Sequence, residues 1–349
     1  MRISADTARA LALSVLSEAG MGSADAEACA DLLTESSLRG VDSHGVVTHL
    51  SLYAEQARAG IGAPGRTPTV VERRGAIAIV DSAGASGPRT ARFALETACE
   101  LAGSRGVGCV VARLGYFGAL WWTVHPAARR GLVGLATVNA AAFVAPHGGV
   151  EALHGTNPIA VAIPHEPEPI VLDMRTNTFR MADYWESVRT GTPLPEGTLL
   201  TPAGAPLTDP DELDAGLWTS AVSLPLAGEK GYGLALVVDV LTAALAGTPI
   251  GRELELDHED TGLAAFFLAV DPSAFGPPGH FADAVSRLAD QVHETTPVDP
   301  GSPVRLPGER SAAERRRRLE DGIPVDPVLW NRLLRRLDEL GLSAPAAPR

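Results

Sequence analysis

Near the amino terminus, apolar positions recur at helical spacing, with Leu11, Val15 and Leu16 in one segment and Ala26, Leu32 and Leu33 in the next, separated by polar residues. Ser4 and Asp6 can cap the first helix, which should end near Gly20. Ser23, with Glu27 close behind, starts a second that runs toward Arg39 and stops at Gly40, so a helical hairpin is expected. Short runs rich in Val, Ile and Ala follow at residues 76–80, 108–112, 133–138, 159–163 and 170–172, each bounded by Gly or Pro, and they predict strands. Residues 88–104 and 119–129, between these runs, have helical composition. Such alternation predicts an α/β fold.

Residues 231–246 are apolar with small side chains throughout, too short for a membrane span, and predict a buried helix. Lys230 and several glycines stand at its amino end, where backbone N–H groups would favour an anion. Further on, residues 264–270 predict a strand, 281–293 a helix and 324–340 a terminal helical region. The arginines at 315–318 alternate with Glu314 and Glu320 and predict a solvated helix face. Pro- and Gly-rich stretches at 60–68, 202–210 and 297–307 read as connecting loops, and the tail 344–349 as frayed.

The chain has 349 residues, 45% of them hydrophobic and 20% charged, enough for a sizeable core divided between two lobes. Residues 1–74 and 280–349 are expected to form a mainly helical lobe, and 75–279 an α/β lobe. A formal net charge of -13 argues against a nucleic-acid groove or an anionic membrane surface, leaving a small molecule as the expected partner. The amino terminus lacks a basic stretch followed by a continuous apolar one, so it does not read as a secretion signal. Cys29, Cys99 and Cys109 are odd in number, widely spaced and in apolar surroundings, which fits reduced core thiols in the cytoplasm rather than a disulfide frame or a metal site. Lys230 is the only lysine among 29 basic side chains that are otherwise arginine, which suggests a task needing an ammonium.

No Gly-x-Gly-x-x-Gly follows a strand, and Gly84-Ala85-Ser86-Gly87 is too loose to replace it, so the ordinary Rossmann fingerprint is missing. No Walker loop, nucleophile elbow or His-Glu-x-x-His occurs either. What remains is a set of polar residues in glycine-punctuated turns: 39–45, Gly155-Thr156-Asn157-Pro158, Leu172-Asp173-Met174-Arg175-Thr176 and the lysine turn. Taken alone, Ser43 and His44 read equally well as a helix-terminus pair.

Together these segments carry a resemblance. Residues 39–45, the stretch Ala145-Pro146-His147-Gly148-Gly149 leading to Gly155-Thr156-Asn157-Pro158-Ile159-Ala160, then Asp173-Met174, residues 230–236 and Pro307-Gly308-Glu309-Arg310 resemble the successive signature segments of the type-2 malate/lactate dehydrogenases. That family includes ureidoglycolate, sulfolactate and diketogulonate enzymes and cyclic imine reductases. The resemblance implies a non-Rossmann nicotinamide-binding fold with a mixed-sheet lobe and a helical lobe, a homodimer, and hydride transfer between NAD or NADP and a carbon next to a carboxylate. It implies that His44 is the proton donor with Ser43 beside it, a role suited to an imidazole whose ordinary pKa lies near 6.5. Cofactor contacts would fall on Asn139, Thr156, Asp173, Met174, Arg175, Thr176, Lys230, Gly231, Pro307, Gly308 and Glu309. A carboxylate should orient His44, and spacing leaves both Asp183 and Asp173 open.

The departures from the family pattern shape the functional expectation. Arg113-Leu114-Gly115-Tyr116-Phe117-Gly118 stands where the family commonly has Asn-Ser-Asn-His-Phe-Gly, so Tyr116 replaces a second histidine. A phenol with a pKa near 10 donates a hydrogen bond but is a poor proton shuttle at neutral pH. The arginine usual after the Ser-His pair is absent, and Val46-Val47-Thr48-His49-Leu50 stands there, leaving Thr48 and His49 to meet the substrate together with Tyr116 and His147. Ala140, Arg175 and Glu229 also depart from the pattern, and an arginine near the cofactor ribose would favour NADP. Trp121 and Trp122 read either as core or as the lining of a larger apolar pocket. The expected activity is reduction of a C=O or C=N bond next to a carboxyl or carbonyl group, on a specialised substrate rather than malate or lactate. The alternative is a divergent member performing non-redox proton transfer or binding a ligand without turnover.

Overall fold

The computed structural model describes residues 1–213, 221–254 and 262–343; the expectation for the tail 344–349 lies outside them. The chain opens with β1 (Arg2–Ile3), α1 (Ala5–Glu18), α2 (Ser23–Leu38) and α3 (Val46–Arg58). Ser4 caps α1 by accepting from the Thr7 N–H, as its position suggested, whereas α2 starts after Gly22 without a side-chain cap. These helices bury Leu16, Leu32, Leu33, Leu50 and Tyr53 together with Trp330, Leu333 and Leu337 of the final helix. The two ends of the helical layer are joined where Ile3 pairs with Ile323 of β11 (Ile323–Pro324), just before α10 (Pro327–Glu339).

The second core lies on a seven-stranded sheet of order β2-β3-β4-β10-β5-β6-β7. Its strands are β2 (Thr69–Arg74), β3 (Ile77–Asp81), β4 (Val107–Leu114), β5 (Val133–Val138), β6 (Ile159–Ile163), β7 (Ile170–Met174) and β10 (Leu263–Val270). Only β3 and β4 run parallel, joined through α4 (Gly87–Arg105); every other neighbouring pair is antiparallel, so the sheet is mixed. Residues 69–74, grouped with the helices on sequence grounds, thus form the sheet edge. Helix α4 seats tightly because Gly108 has no side chain: a Cβ there would lie 2.0 Å from the Ala98 carbonyl oxygen. Helix α5 (Trp121–Arg129) buries Trp121 and Trp122, under Arg39 and Arg92 respectively, so both indoles are core rather than a pocket wall.

Phe143, Phe179, Leu194 and Leu199 form a smaller cluster beside α6 (Met181–Thr190) and the β8–β9 pair (Leu199–Leu200 with Val222–Ser223). Helix α7 (Glu229–Asp239) continues into a π turn, Val240–Ala244. The buried helix expected at residues 231–246 is only half correct. Ala235, Val238, Thr242 and Ala243 face inward, while Leu234, Leu236, Val237, Val240 and Leu245 are 38–55% exposed. Apolar side chains on every face left the sequence pattern without a polar stripe to mark the outer side. Helices α8 (His280–Glu294) and α9 (Glu309–Asp321) precede β11.

Candidate active site

The Ser-His pair lies on a single 3-10 turn, Asp42–His44, between α2 and α3. Gly45, which follows, packs where a Cβ would lie 2.6 Å from the Ser37 hydroxyl, and that hydroxyl accepts from the Val46 N–H. Ser43 Oγ and His44 Nδ1 are 2.9 Å apart. The His49 ring, on the first turns of α3, stacks on His44 with centroids 5.0 Å apart and planes 16° from parallel. Tyr116 stacks on the other face of this unit, 5.7 Å from His49 at 19°, and Tyr53 lies 6.0 Å beyond Tyr116. Tyr53 keeps a buried hydroxyl with no partner among the described residues. The structure therefore brings Ser43, His44, His49 and Tyr116 into one column.

Desolvation governs the electrostatics of this column. Each imidazole retains an opening to solvent, yet burial drops the His44 pKa to about 4 and, with His44 adding to the effect, the His49 pKa to about 3. Both rings are neutral at pH 7. Burial pushes the Tyr116 phenol well above its usual range, so it stays a hydrogen-bond donor.

Neither expected aspartate orients His44. The Asp183 carboxylate is held by Arg180, with Nε 2.7 Å from Oδ2, and Asp173 Oδ2 accepts from the Trp121 N–H at 2.9 Å, capping α5. Ser43 alone meets Nδ1 among the described residues. Although Asp173 as a residue is exposed, desolvation of its carboxyl raises the pKa to about 6 despite the Trp121 bond.

Beneath the turn is a contact that sequence could not supply. Arg318 of α9 donates to both Asp42 oxygens and to the Ser37 carbonyl, at 2.6 Å for the latter. Arg315 forks onto Glu35, and Arg317 pairs with Glu314. The arginine run is thus not simply a solvated face: Arg318 is buried, and its charge was chosen by residues far away in sequence.

The second group of expected residues meets around the lysine turn. The Thr176 N–H and hydroxyl both donate to the Thr156 carbonyl, and the Thr176 carbonyl accepts from the Leu226 N–H. Gly231 is held so close that a Cβ would lie 2.3 Å from the Leu226 oxygen and 2.6 Å from that of Thr176. Lys230 is exposed on the first turn of α7 and forms no ion pair with a described residue. His147 lies against Gly228, lining a groove of about 540 Å³ with Gly148, Thr178, Pro225 and Ala227. It belongs to the lysine turn, and no described contact joins it to His44.

Met174 ends β7 opposite Ile159. Arg175 follows, half-buried, with its Nε buried and unpartnered. Asn139 is buried, its oxygen accepting from the Ala264 N–H at 2.8 Å while its amide nitrogen has no partner. Pro307 and Gly308 approach β7, the Pro307 carbonyl accepting from the Val171 N–H, and Glu309 bonds the Leu306 N–H and His293.

One further buried unit escaped the sequence reading. His154 Nδ1 lies 2.6 Å from Asp239 Oδ2, and Asn157 Nδ2 donates to the other Asp239 oxygen at 2.9 Å and to the Ala235 carbonyl. The Asn157 oxygen accepts from the Ala140 N–H, so this unit ties α7 to the loops carrying Asn139 and Thr156. Asn157 was visible within a quoted motif, but its partner 82 residues away was not.

Residues 3–334 match the family model described as Malate/L-lactate dehydrogenase. Ureidoglycolate dehydrogenase (NAD(+)) of Escherichia coli O157:H7 is 31% identical over 342 residues, covering 96% of this chain and 95% of its own. (2R)-3-sulfolactate dehydrogenase (NADP(+)) of Chromohalobacter salexigens is 35% identical over 327 residues, covering 91% and 93%. Among solved structures, delta1-piperideine-2-carboxylate reductase from Pseudomonas syringae superposes with a TM-score of 0.83 at 28% identity, covering 96% of this chain and 99% of that one.

Proposed function

We propose, on the premise that this chain belongs to the malate/L-lactate dehydrogenase family, that it is an NAD(P)-dependent oxidoreductase acting at a C=O or C=N carbon next to a carboxyl or carbonyl group. The observation that carries the reading is the His44 column: an imidazole held at one nitrogen by Ser43, stacked on His49 and partly buried. Relatives named for reactions at a hydroxy-acid carbon and at a cyclic imine support both bond types.

The residues present suit a nicotinamide cofactor. Asn139 Nδ2 and Arg175 Nε are buried donors without partners, the kind of group that an amide or phosphate oxygen would satisfy. We assign the hold on the cofactor to Asn139, Thr156, Asp173–Thr176, Lys230, Gly231 and Pro307–Glu309. The bound cofactor would supply the hydride. The chain's own part is proton management. With His44 Nδ1–H donating to the Ser43 hydroxyl, the protonated ring gives its Nε2 proton to the substrate heteroatom during reduction and is left neutral, and that neutral ring takes the proton back at Nε2 in the oxidising direction. Tyr116 donates a second hydrogen bond beside it.

Relatives named for NAD(+) and for NADP(+) leave both cofactors in the assignment. Arg175 supports NADP, its charge free for a ribose phosphate. We further assign a homodimer through the exposed α7 face. From residue 231 to 246 its sole charge, Asp239, points inward, and a second copy of the same apolar face would cover it. Three unpaired thiols fit a cytoplasmic setting.

The deciding experiment is titration of the purified protein with NADH and NADPH, followed by a screen of 2-oxo acids, their amides and esters, and cyclic imines. Micromolar binding of one cofactor with turnover of at least one substrate class supports the assignment; binding of neither overturns it. Sedimentation of wild type and Val237→Asp tests the dimer, and a monomeric wild type rejects it.

A further inference from the structure

Among the described residues, no cation forms a hydrogen bond or ion pair with His44 or His49. Three charged side chains of the neighbouring elements are committed elsewhere: Asp42 to Arg318, Arg39 to the Trp121 face with Glu35 and His125, and Asp173 to the Trp121 N–H. No described charged group acts on His44, and only His44 acts on His49. The hydrogen bonds then fix which way His49 points its lone pair. The Thr48 hydroxyl has one proton, and it goes to backbone carbonyls, with Asp42 O at 2.7 Å and Gly45 O at 3.1 Å. Toward His49 Nδ1, 3.3 Å away, that hydroxyl can therefore only accept, so the ring carries its proton on Nδ1 and leaves Nε2 as a bare acceptor.

We propose that the group flanking the reacting carbon of the substrate is an uncharged hydrogen-bond donor, an amide or a hydroxyl, and that His49 selects it. The inference rests on the oxidoreductase reading and narrows its substrate class. A carboxylate offers acceptors only. Beside His49 Nε2 it would face lone pair against lone pair, and it would leave water without meeting a counter-charge. An amide N–H or a hydroxyl satisfies Nε2 directly, while the adjacent oxygen takes the Nε2–H of His44. With its proton on Nδ1 and burial keeping the ring neutral, His49 offers an anion neither a charge nor a donor at Nε2.

The test uses phenylglyoxylate and phenylglyoxylamide, which differ only in the flanking group, with enzyme saturated by whichever reduced cofactor binds. Wild type should show kcat/KM at least ~10-fold higher for the amide, as expected where a site polar group is left unpaired by the wrong substrate. His49→Arg, which installs a guanidinium able to fork onto a carboxylate, should shift the ratio toward the acid. His49→Gln, neutral and of similar reach, should keep the amide preference and guards against a fold defect in the arginine variant. A wild-type preference for the acid, binding of neither probe, or acid binding with proton uptake in calorimetry across buffers would overturn the proposal. Cofactor binding on the same preparation separates this failure from failure of the oxidoreductase assignment.

Discussion

Arg318 grips Asp42 with two hydrogen bonds, Nη1 to Oδ1 at 2.5 Å and Nη2 to Oδ2 at 3.0 Å, across 276 residues of sequence. Through it, a C-terminal helix fixes the turn that presents Ser43 and His44. Arg318 is buried while half of the Asp42 side chain is exposed, so the pair lies between the buried and surface regimes. Arg318→Ala should lower stability by about 2 kcal/mol and depress kcat more than cofactor affinity. Denaturant unfolding and cofactor titration measure the two effects; an unchanged kcat would show that the clamp is structural only.

His44→Asn removes the imidazole proton while keeping a side chain of similar size. The chemical rate should fall by ~10²–10⁴-fold with cofactor binding intact. Single-turnover mixing isolates that step, and normal turnover would remove His44 from the mechanism.

Acid should weaken the protein in a definite window. His44 and His125 are lowered to about 4 and His49 to about 3, all chiefly by burial, so between those values and 6.5 the unfolded chain binds protons that the native one refuses. Asp173 acts oppositely, its native carboxyl holding a proton from 3.8 up to about 6. Three imidazoles against one carboxyl leave an excess of roughly two protons on the unfolded side, so stability rises with pH across this range. Urea unfolding at pH 5 and pH 7 should show the loss on acidification, and His44→Asn/His49→Asn should flatten the difference. Over pH values where the protein stays folded, reduction should speed up toward acid as His44 gains a proton to give.

Gly87 begins α4 directly beneath the column: a Cβ there would lie 2.1 Å from the Tyr116 carbonyl oxygen and 2.5 Å from that of Gly115. Gly87→Ala should cost about 1–3 kcal/mol and displace Tyr116, reducing activity as well. Gly103, in the same helix, has nothing within 4 Å, and Gly103→Ala should stabilise by roughly 0.5–1 kcal/mol. Equal effects at both positions would contradict the packing argument.

Asp239→Ala strands His154 and Asn157 in the interior. A loss of about 3 kcal/mol is expected, with weaker cofactor binding because α7 carries Lys230. Affinity unchanged beside lowered stability would confine the unit to a structural role.

The helical hairpin, the strands at β3 to β7 and β10, and the glycine turns bearing His44, Thr156, Asp173 and Lys230 were all determined by the sequence, because periodicity, capping and turn chemistry are local properties. So was the resemblance that named the family. Helix α3 and strand β2 were not legible: Val46-Val47-Thr48 opens α3 with β-branched residues that read as strand, and β2 exposes polar residues at the sheet edge. The tertiary structure alone decided that Arg318 faces Asp42 rather than water, that His154 meets Asp239, and that α7 shows an apolar face outward. It also decided that His44 and His49 are neutral, since an imidazole's charge follows from what covers it. Residues separated by tens or hundreds of positions leave no periodic trace of each other, and burial belongs to the assembled core rather than to any segment of the chain.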